Sequence, residues 1–515
     1  MDAASARSWR VLAINALAGT GKTTALALLA AGPLAGEPIN YITFNARAAR
    51  EARGHFGANT AASTAHSLAW HSPYPGAGIT MKEVFAGRLS SAGLYGDLAA
   101  AAEADGGLRR SFAIAAGALG LGRGWRAGVS PVLQVVEAFT KSPDPAITAA
   151  HVPPALRSLA LRAQEATDLG VLVSEARRLW DRQIDPTSAL PISHGVYLKL
   201  ASLSPQPFSA GTVFFDEAQD ASAPMLALLE AHVAAGGRLV MVGDTFQHIY
   251  GWAGALNAIE AIAARFPDGS AVLPLCRSYR FGEEIADAGN AFLGALGARY
   301  RLVGDGPSGA VEHQGDTNAV LFRSNARMIM EILANQTHGT GRRIHVVGGA
   351  KEMVAILYDM GALYKGRILT GGELAGFADW AELKEFTRTP LGSSYAPLAS
   401  LVERRRGSVG AIAAALRKTE PRMERSDTIL STAHKAKGGQ WRSVKLSEEF
   451  QGAWKASARD PVPRVPEHEE LSLQYVAATR AERLLVHRGL IPLVRERLRE
   501  LRMSGSDGVS GSAYR

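Results

Sequence analysis

A glycine-rich segment between two apolar runs constrains the fold of this chain most strongly. The segment ALAGTGKT covers residues 16–23, between the apolar run Val11 to Ala16 and a helix-forming run from Lys22 to Ala31. Its glycines and lysine have the spacing of a phosphate-binding P-loop, with alanine where the first glycine usually stands. In such a loop, backbone N–H groups and a helix N-terminus surround phosphate oxygens. A strand, this loop and a helix together predict a nucleotide-binding site.

Further strands and helices alternate along the chain. A second strand is predicted from Ile39 to Phe44 with a polar helix near 47–53, and the strand pattern returns at 212–215 and 238–242. Alternation of this kind predicts a parallel sheet that is covered by helices. The predicted fold class is therefore α/β.

Carboxylates follow two of these strands. Asp216 and Glu217 come directly after residues 212–215, and Asp244 follows 238–242. A carboxylate at such a strand end can hold Mg²⁺, and a neighbouring one can orient and deprotonate the attacking water. Taken alone, the acidic cluster is more often a solvated helix start. Combined with the P-loop it predicts a Walker-type NTPase, a class that includes kinases, GTPases, transporters and motors.

Composition narrows the classes further. The chain has 515 residues, 47% hydrophobic and 20% charged, and at about 150 residues per domain this length suggests roughly three to four domains. No apolar run reaches the ~18 residues of a membrane helix, and the single cysteine, Cys276, excludes an internal disulfide and a cysteine-built zinc site. The net charge of +8 permits a polyanion partner without requiring one. We expect a cytoplasmic protein without a membrane partner.

The patterns divide the chain into five regions. Residues 66–194 have helical spacing, residues 346–424 mix helical patterns with glycine-rich turns, and a helix is predicted from about Glu469 to Leu485. The predicted division is a first P-loop domain at 1–65 and 195–275, a helical insertion at 66–194, a second α/β domain at 276–345 and 425–502, a small insertion at 346–424, and a disordered tail at 503–515.

Eight segments, in order along the chain, resemble the motifs of the UvrD-like branch of superfamily 1 helicases. They are ALAGTGKTT (16–24), YITFNARAA (41–49), STAHSL (63–68), FFDEAQD (214–220), VGDTFQHIYGWAGA (242–255), CRSYRF (276–281), STAHKAKGGQW (431–441) and LQYVAATRAERLL (473–485). Three more segments are most similar to the helicase part of the F-box DNA helicases: ISHGVYLKL (192–200), LFRSNA (321–326), and ILSTAHKAKG with the tryptophan that follows. The resemblance covers nearly the whole chain. It implies two RecA-like P-loop NTPase domains with two inserted, mainly helical subdomains.

The P-loop and the acidic segment predict a site for ATP and Mg²⁺. Lys22 would reach the β- and γ-phosphates, Thr23 and Asp216 would ligate Mg²⁺, and Glu217 would activate water. The resemblance adds Tyr279 as the residue that stacks on adenine. The predicted nucleotide-binding residues are Ala18, Gly19, Thr20, Gly21, Lys22, Thr23, Thr24, Tyr279 and Gln440.

Two arginines and a glutamine complete the expected catalytic set. Arg280 and Arg480 belong to the second α/β region, so they could reach across to the γ-phosphate as arginine fingers. In this arginine-rich chain the default for any single arginine is an ordinary surface residue, and the contexts SYRF and AATRA favour the functional role. Gln247 would sense the γ-phosphate and couple it to a DNA site.

The resemblance also implies contacts to single-stranded DNA, which need stacking surfaces and phosphate contacts without base readout. The default for an aromatic residue beside a strand is core packing. Lys435 and Lys437 could neutralise phosphates, with solvated surface lysine as an equal alternative. The predicted nucleic-acid-binding residues are Thr43, Phe44, Asn45, Thr64, His66, Tyr250, Trp252, Thr432 and His434.

Four departures from the family pattern bear on function. The 15 residues before Ala16 contain no glutamine to read adenine, Ala253 replaces an arginine, and Gly439-Gln440 replaces Leu-Glu in the segment that contacts the ribose. The second insertion is also small. We therefore expect translocation by a monomer more firmly than strand separation by a monomer.

The resemblance implies an ATP-dependent DNA helicase or translocase that moves 3′ to 5′ on single-stranded DNA and unwinds duplex in repair, recombination or replication. Its expected partners are single-stranded and forked DNA and a loading or recombination protein. One alternative is a translocase that strips proteins from DNA, and another is a DNA-stimulated ATPase subunit or switch of a repair or defence complex. RNA is a weaker alternative track.

Overall fold

Two six-stranded parallel sheets organise the molecule, as the computed structural model of the chain shows. The described residues are 9–503, apart from 44–45, 91–92, 122–123, 155, 158–159, 161–168, 252–254, 338–340, 368, 370–373, 375–376, 378, 389–394 and 456–464. The predicted α/β class with two RecA-like domains is confirmed.

The first sheet has the strand order β3-β2-β4-β6-β1-β8. Its central strands are nearly continuous apolar runs, as expected for parallel strands that are buried on both faces. The short strands β5 and β7 form a separate antiparallel pair. The bounds are β1 (Val11–Ala16), β2 (Ile39–Thr43), β3 (Thr60–Thr64), β4 (Thr212–Asp216), β5 (Ala221–Ser222), β6 (Arg238–Gly243), β7 (Ala255–Leu256) and β8 (Ser270–Leu275).

Eleven described helices belong to the part of the chain that forms this sheet. The helices are α1 (Lys22–Ala31), α2 (Ala46–Ala52), α3 (Ala65–His71), α4 (Met81–Phe85), α5 (Leu94–Ala104), α6 (Gly106–Ala118), α7 (Arg126–Lys141), α8 (Leu169–Ile184), α9 (His194–Leu203), α10 (Ala223–Ala234) and α11 (Ala258–Arg265). The short helix α3 follows β3 directly, and six more helices, α4 to α9, come before β4.

The second sheet has the order β11-β16-β15-β12-β14-β13, and β9 and β10 form a small parallel pair beside it. The strands are β9 (Arg277–Ser278), β10 (Val303–Gly304), β11 (Ala310–Glu312), β12 (Ala319–Phe322), β13 (Ile344–Val346), β14 (Thr428–Thr432), β15 (Trp441–Leu446) and β16 (Ala481–Val486). The helices are α12 (Glu283–Ala295), α13 (Asn325–Thr337), α14 (Lys351–Tyr364), α15 (Trp380–Phe386), α16 (Ala396–Arg404), α17 (Gly410–Arg417), α18 (Ala433–Ala436), α19 (His468–Ala478) and α20 (Leu490–Met503).

The predicted helix from Glu469 to Leu485 is wrong in its second half. The helix α19 ends at Ala478. Residues Ala481–Val486 form β16, which pairs in parallel with β11 and β15. The sequence AERLLV suits a helix or a buried strand equally, so pairing with neighbouring strands decides the outcome. The predicted tail at 503–515 lies outside the described residues except for Met503, which ends α20. The other predicted domain bounds stay predictions.

Strand register brings three chain segments to one edge of the first sheet. Asn15 of β1 lies opposite Gly243 of β6, and Asp216 of β4 lies opposite Val242 of β6. Because the three strands are parallel and adjacent, the residues that follow each of them meet at the carboxyl edge. The P-loop, the acidic segment and the segment after β6 therefore surround one site.

Two of the helices between β3 and β4 pack closely around a glycine. A Cβ atom built on Gly128 of α7 would lie 1.8 Å from the main-chain oxygen of Phe112 in α6. The two helices share the core residues Phe112, Val129 and Val132. Within the described part of the chain, no helix is both long and apolar enough to cross a bilayer.

We predict that Gly128→Ala destabilises the protein by about 1–3 kcal/mol, because the methyl group must displace backbone atoms. Gly117→Ala is the matched control: Gly117 lies inside α6, and no described atom lies within 4 Å of the added Cβ. It should stabilise by roughly 0.5–1 kcal/mol. Chemical denaturation followed by circular dichroism measures both, and equal stability of the two variants would contradict the packing described.

Candidate nucleotide-binding site

The P-loop has the backbone geometry that phosphate binding requires. Gly19 and Gly21 have φ angles of 74° and 79°, a region that side-chain-bearing residues rarely adopt. The helix α1 begins directly afterwards at Lys22, and within the described residues no side chain caps its N-terminus. Its first N–H groups and its dipole are therefore available to an anion.

Gly19 is also one of the residues that contact the second-sheet side of the molecule, which is the part of the chain after β8. The Tyr279 N–H donates to the Gly19 carbonyl oxygen at 2.9 Å. A Cβ atom on Gly19 would lie 2.4 Å from Ser278 Oγ and 2.7 Å from Arg280 Cβ. Glycine is therefore needed here both for its backbone angle and for this close approach.

The predicted magnesium ligands lie next to each other. Thr23 Oγ1 donates to Asp216 Oδ2 at 3.0 Å, and the Tyr41 hydroxyl donates to the same oxygen at 2.7 Å. Burial, and then the charge of Glu217, raise the pKa of Asp216. A hydroxyl beside a buried carboxylate that lies close to a second anion is a donor set that fits a hard cation such as Mg²⁺.

Glu217 is held in an unusual position after β4. Its φ of 57° places it in the left-handed region, and Gln219 Nε2 donates to its Oε2 at 2.7 Å. Lys22 Nζ lies 3.2 Å from the same oxygen. Burial acts to raise the pKa of Glu217, but Lys22 and then Lys437 lower it to about 2. Glu217 is therefore ionised at neutral pH, as a base that accepts a proton from water must be.

Neighbouring charges also keep Lys22 ionised. Burial acts to lower the pKa of Lys22, and the charges of Glu217, Asp244 and Asp216 together raise it above its ordinary value. A phosphate group at the P-loop would compete with Glu217 for this ammonium. Phosphate binding would then release Glu217 from its ion pair.

Both predicted arginine fingers, Arg280 and Arg480, lie at the site and come from the second-sheet side. Arg480 is 2% exposed, and its Nη2 donates to Gln247 Oε1 at 3.2 Å. Arg280 donates through Nη1 to the Thr479 carbonyl oxygen and through Nε to Gln440 Oε1, each at 2.9 Å. Burial, and then the charge of Arg280, lower the pKa of Arg480 to about 9. A buried and a partly buried guanidinium group that repel each other favour an anion close to both.

Gln247 belongs to a hydrogen-bonded chain that reaches the P-loop. Gln247 Nε2 donates to Asp244 Oδ2 at 2.7 Å, and the Tyr475 hydroxyl donates to that oxygen at 3.3 Å. The Ala18 N–H donates in turn to the Tyr475 hydroxyl at 3.0 Å. Tyr475 comes from α19 in the second-sheet part of the chain and was missed in the sequence analysis, although it lies within the segment LQYVAATRAERLL. A tyrosine in an apolar helix gives no signal of this contact.

Three other residues that were predicted to contact the nucleotide differ in exposure and in hydrogen bonding. The Tyr279 side chain is 61% exposed beside the P-loop, so its ring is accessible for stacking. Gln440 lies against Arg280, and its predicted contact with the ribose stays a prediction. Thr20 Oγ1 donates to the Leu17 carbonyl oxygen at 2.7 Å, which stabilises the loop itself.

The predicted DNA-contact residues follow strands of both sheets. Thr43 ends β2 and Thr64 ends β3, where Thr64 Oγ1 accepts a hydrogen bond from the Ser67 N–H. Thr432 ends β14 and caps α18. Thr43 and Thr432 are buried, and Thr432 Oγ1 accepts a hydrogen bond from the Lys435 N–H at 3.4 Å. Phe44, Asn45 and Trp252 lie outside the described residues.

The two predicted histidines are neutral at pH 7. Burial, and then His194, lower the pKa of His66 to about 4. Burial, then Arg323 and Lys437, lower the pKa of His434 to about 4. The His66 ring lies edge-on to His194, with ring centroids 5.9 Å apart. Neutral rings suit stacking or polar contacts rather than charge neutralisation.

The two lysines of the segment STAHKAKGGQW differ from each other. Lys435 Nζ lies 3.1 Å from Glu352 at the surface. Lys437 is buried, and its Nζ pairs with Asp220. The expectation of a solvated surface lysine is therefore wrong for Lys437, and its contact with phosphates stays a prediction.

A P-loop, two carboxylates at a strand end and arginines from a second parallel sheet define a P-loop NTPase of the two-sheet, RecA-like kind. The protein family described as "AAA domain" matches residues 2–253. F-box DNA helicase 1 of Gallus gallus is 26% identical over 509 residues, which cover 93% of this chain and 47% of that protein. F-box DNA helicase protein 1 of Schizosaccharomyces pombe is 26% identical over 528 residues, which cover 92% of this chain and 55% of that protein. The chain spans about half the length of these curated relatives, and its resemblance to superfamily 1 helicases, among them the F-box DNA helicases, is confirmed.

We predict that Glu217→Gln lowers kcat for ATP hydrolysis by about 10²–10⁴, because the amide cannot accept the proton of the attacking water. Binding of ATP should persist, since the P-loop is unchanged, whereas Lys22→Ala should weaken nucleotide binding as well. Steady-state hydrolysis and binding of a fluorescent ATP analogue measure these effects. Glu230→Gln, at the ion pair with Arg265 far along α10, is the control. Near-normal turnover of Glu217→Gln would refute its role as the base.

Proposed function

We propose that the protein is an ATP-dependent DNA helicase or translocase that moves 3′ to 5′ along single-stranded DNA. The observation that carries this proposal is the position of Arg280 and Arg480. Both come from the second-sheet side: Arg280 lies beside Gly19 of the P-loop, and Arg480 donates to Gln247 after β6. A γ-phosphate between the two sides would hold them together, and its release would let them separate. Such a cycle of closure and opening is what a nucleic-acid motor needs.

ATP with Mg²⁺ is the proposed fuel. Lys22, Thr23 and Asp216 are the residues that would hold it, and the cation would neutralise charge on the phosphates. Glu217 would accept a proton from the attacking water, and Gln247 would sense the γ-phosphate.

DNA is the proposed track because the relatives are named DNA helicases. The position of Tyr250 also supports a nucleic-acid path, since its hydroxyl donates to the His434 carbonyl oxygen at 3.2 Å and so joins predicted contacts from both sheets. Further proposals are single-stranded and forked DNA as substrates, a role in repair, recombination or replication, a monomeric motor, a loading or recombination protein as partner, and a DNA-associated location in the cytoplasm or nucleoid.

We predict that single-stranded DNA raises the steady-state rate of ATP hydrolysis at least tenfold, and that a matched RNA raises it less. Partial duplexes with a 3′ or a 5′ single-stranded tail test direction: displacement of the strand from the 3′-tailed substrate alone is expected. Displacement of streptavidin from a biotinylated 3′ or 5′ end measures translocation without unwinding. Protein displacement without strand separation would favour the stripping translocase, and no stimulation by either nucleic acid would contradict the motor.

We predict that Arg480→Ala lowers kcat for hydrolysis by about 10³, because an arginine finger stabilises charge that develops in the transition state. The affinity for ATP should change much less. Arg483→Ala is the matched control, since Arg483 lies three residues further on and is exposed. Equal turnover of the two variants, measured at saturating ATP and DNA, would show that Arg480 does not act on the phosphate.

A further inference from the structure

A buried lysine from the second-sheet side lies among three segments with separate predicted roles. Lys437 Nζ donates to both carboxylate oxygens of Asp220, at 2.7 and 2.6 Å, and to the main-chain oxygen of Gln247 at 2.7 Å. The side chains of Lys437 and Asp220 are 9% and 5% exposed. The three N–H groups of the ammonium are matched by acceptors on the first-sheet side.

The predicted base-stacking residue Tyr250 is the third residue that contacts this lysine. Lys437 Nζ lies 5.1 Å from the centroid of the Tyr250 ring, within the range of a cation–π contact. The Tyr250 hydroxyl donates to the His434 carbonyl oxygen at 3.2 Å. Lys437 therefore contacts the face of the Tyr250 ring, and His434 binds its hydroxyl. A base that displaced this ring would also displace Lys437.

The acceptors of Lys437 lead to the site of hydrolysis. The Asp220 N–H donates to the Glu217 carbonyl oxygen at 2.9 Å, so Asp220 belongs to the turn that holds Glu217. The Gln247 side chain accepts from Arg480 and donates to Asp244. One ammonium group thus contacts the turn after Glu217, the backbone of Gln247 and the ring of Tyr250.

We propose that Lys437 is a positioning residue that couples nucleic acid at Tyr250 to ATP hydrolysis at Glu217 and Arg480. The inference rests on the proposed function. Its physical basis is that an ion pair removed from water depends steeply on distance and direction, because no solvent replaces a lost contact. A small displacement of Tyr250 would therefore change how Asp220 and Gln247 are held.

The test is the ratio of kcat for ATP hydrolysis with saturating single-stranded DNA to kcat without DNA, measured on the full chain. Lys437→Met keeps the length of the side chain and removes its charge. We expect this ratio to fall at least tenfold, while the Kd values for single-stranded DNA and for a fluorescent ATP analogue change less than about threefold. Lys437→Arg, which keeps the charge, should recover part of the ratio.

Lys435→Met is the matched control from the same segment, because Lys435 pairs with Glu352 at the surface. Any contact that Lys435 makes with a phosphate would change Kd and not the ratio at saturation. Asp220→Asn removes the same contact from the other side and should lower the ratio in the same way. It therefore decides the question if Lys437→Met is too unstable to purify.

Two results would overturn the inference while the proposed function stands. In one, Lys437→Met or Asp220→Asn is stimulated by DNA as strongly as the wild type. In the other, stimulation falls only in proportion to lost DNA or nucleotide binding, as it would for a purely structural contact. A wild-type protein that DNA does not stimulate would contradict both the inference and the proposed function.

Discussion

Four carboxylates lie together at the carboxyl edge of the first sheet, those of Asp216, Glu217, Asp220 and Asp244. Burial raises the pKa of Asp216, Asp220 and Asp244, which shows how unfavourable their charges are without cationic partners. Lys22, at the start of α1, lies against Glu217, but Lys437 and Arg480 come from the second-sheet side. Because a buried charge without a partner is costly, this balance of charge ties the two sheets together.

The same contacts explain why a nucleotide would control the distance between the sheets. The Ala18 N–H and the Gly19 carbonyl oxygen of the P-loop are bonded to Tyr475 and Tyr279, both from the second-sheet side. Phosphate oxygens at the P-loop would add negative charge beside Arg280 and Arg480. Binding would favour the closed arrangement, and loss of the γ-phosphate would remove part of that attraction. The residues that would respond to the nucleotide therefore come from both sheets.

Much of this site could be predicted from the sequence because its segments are local. The strand Val11–Ala16 and the helix Lys22–Ala31 have the predicted bounds, since a strand, a glycine-rich turn and a helix specify each other over a few residues. The strand at 212–215 extends by one residue to include Asp216. The loop glycines and the acidic segment needed no information from elsewhere in the chain.

The features that were not predicted depend on tertiary contacts. The segment after Ala478 forms a strand because β11 and β15 lie on either side of it, and its own residues do not distinguish strand from helix. The burial of Lys437 depends on Asp220, which lies 217 residues away in the sequence. Tyr475 is similarly linked to Ala18 across 457 residues. Such pairs have no local pattern, so only the assembled fold reveals them.

The most direct measurement of the central claim is a structure of the protein with Mg²⁺ and a non-hydrolysable ATP analogue. We expect Arg280 and Arg480 both to lie within hydrogen-bond distance of the γ-phosphate, and Lys22 to contact the phosphates instead of Glu217. A bound analogue with both guanidinium groups turned away, and Lys22 still paired with Glu217, would contradict it.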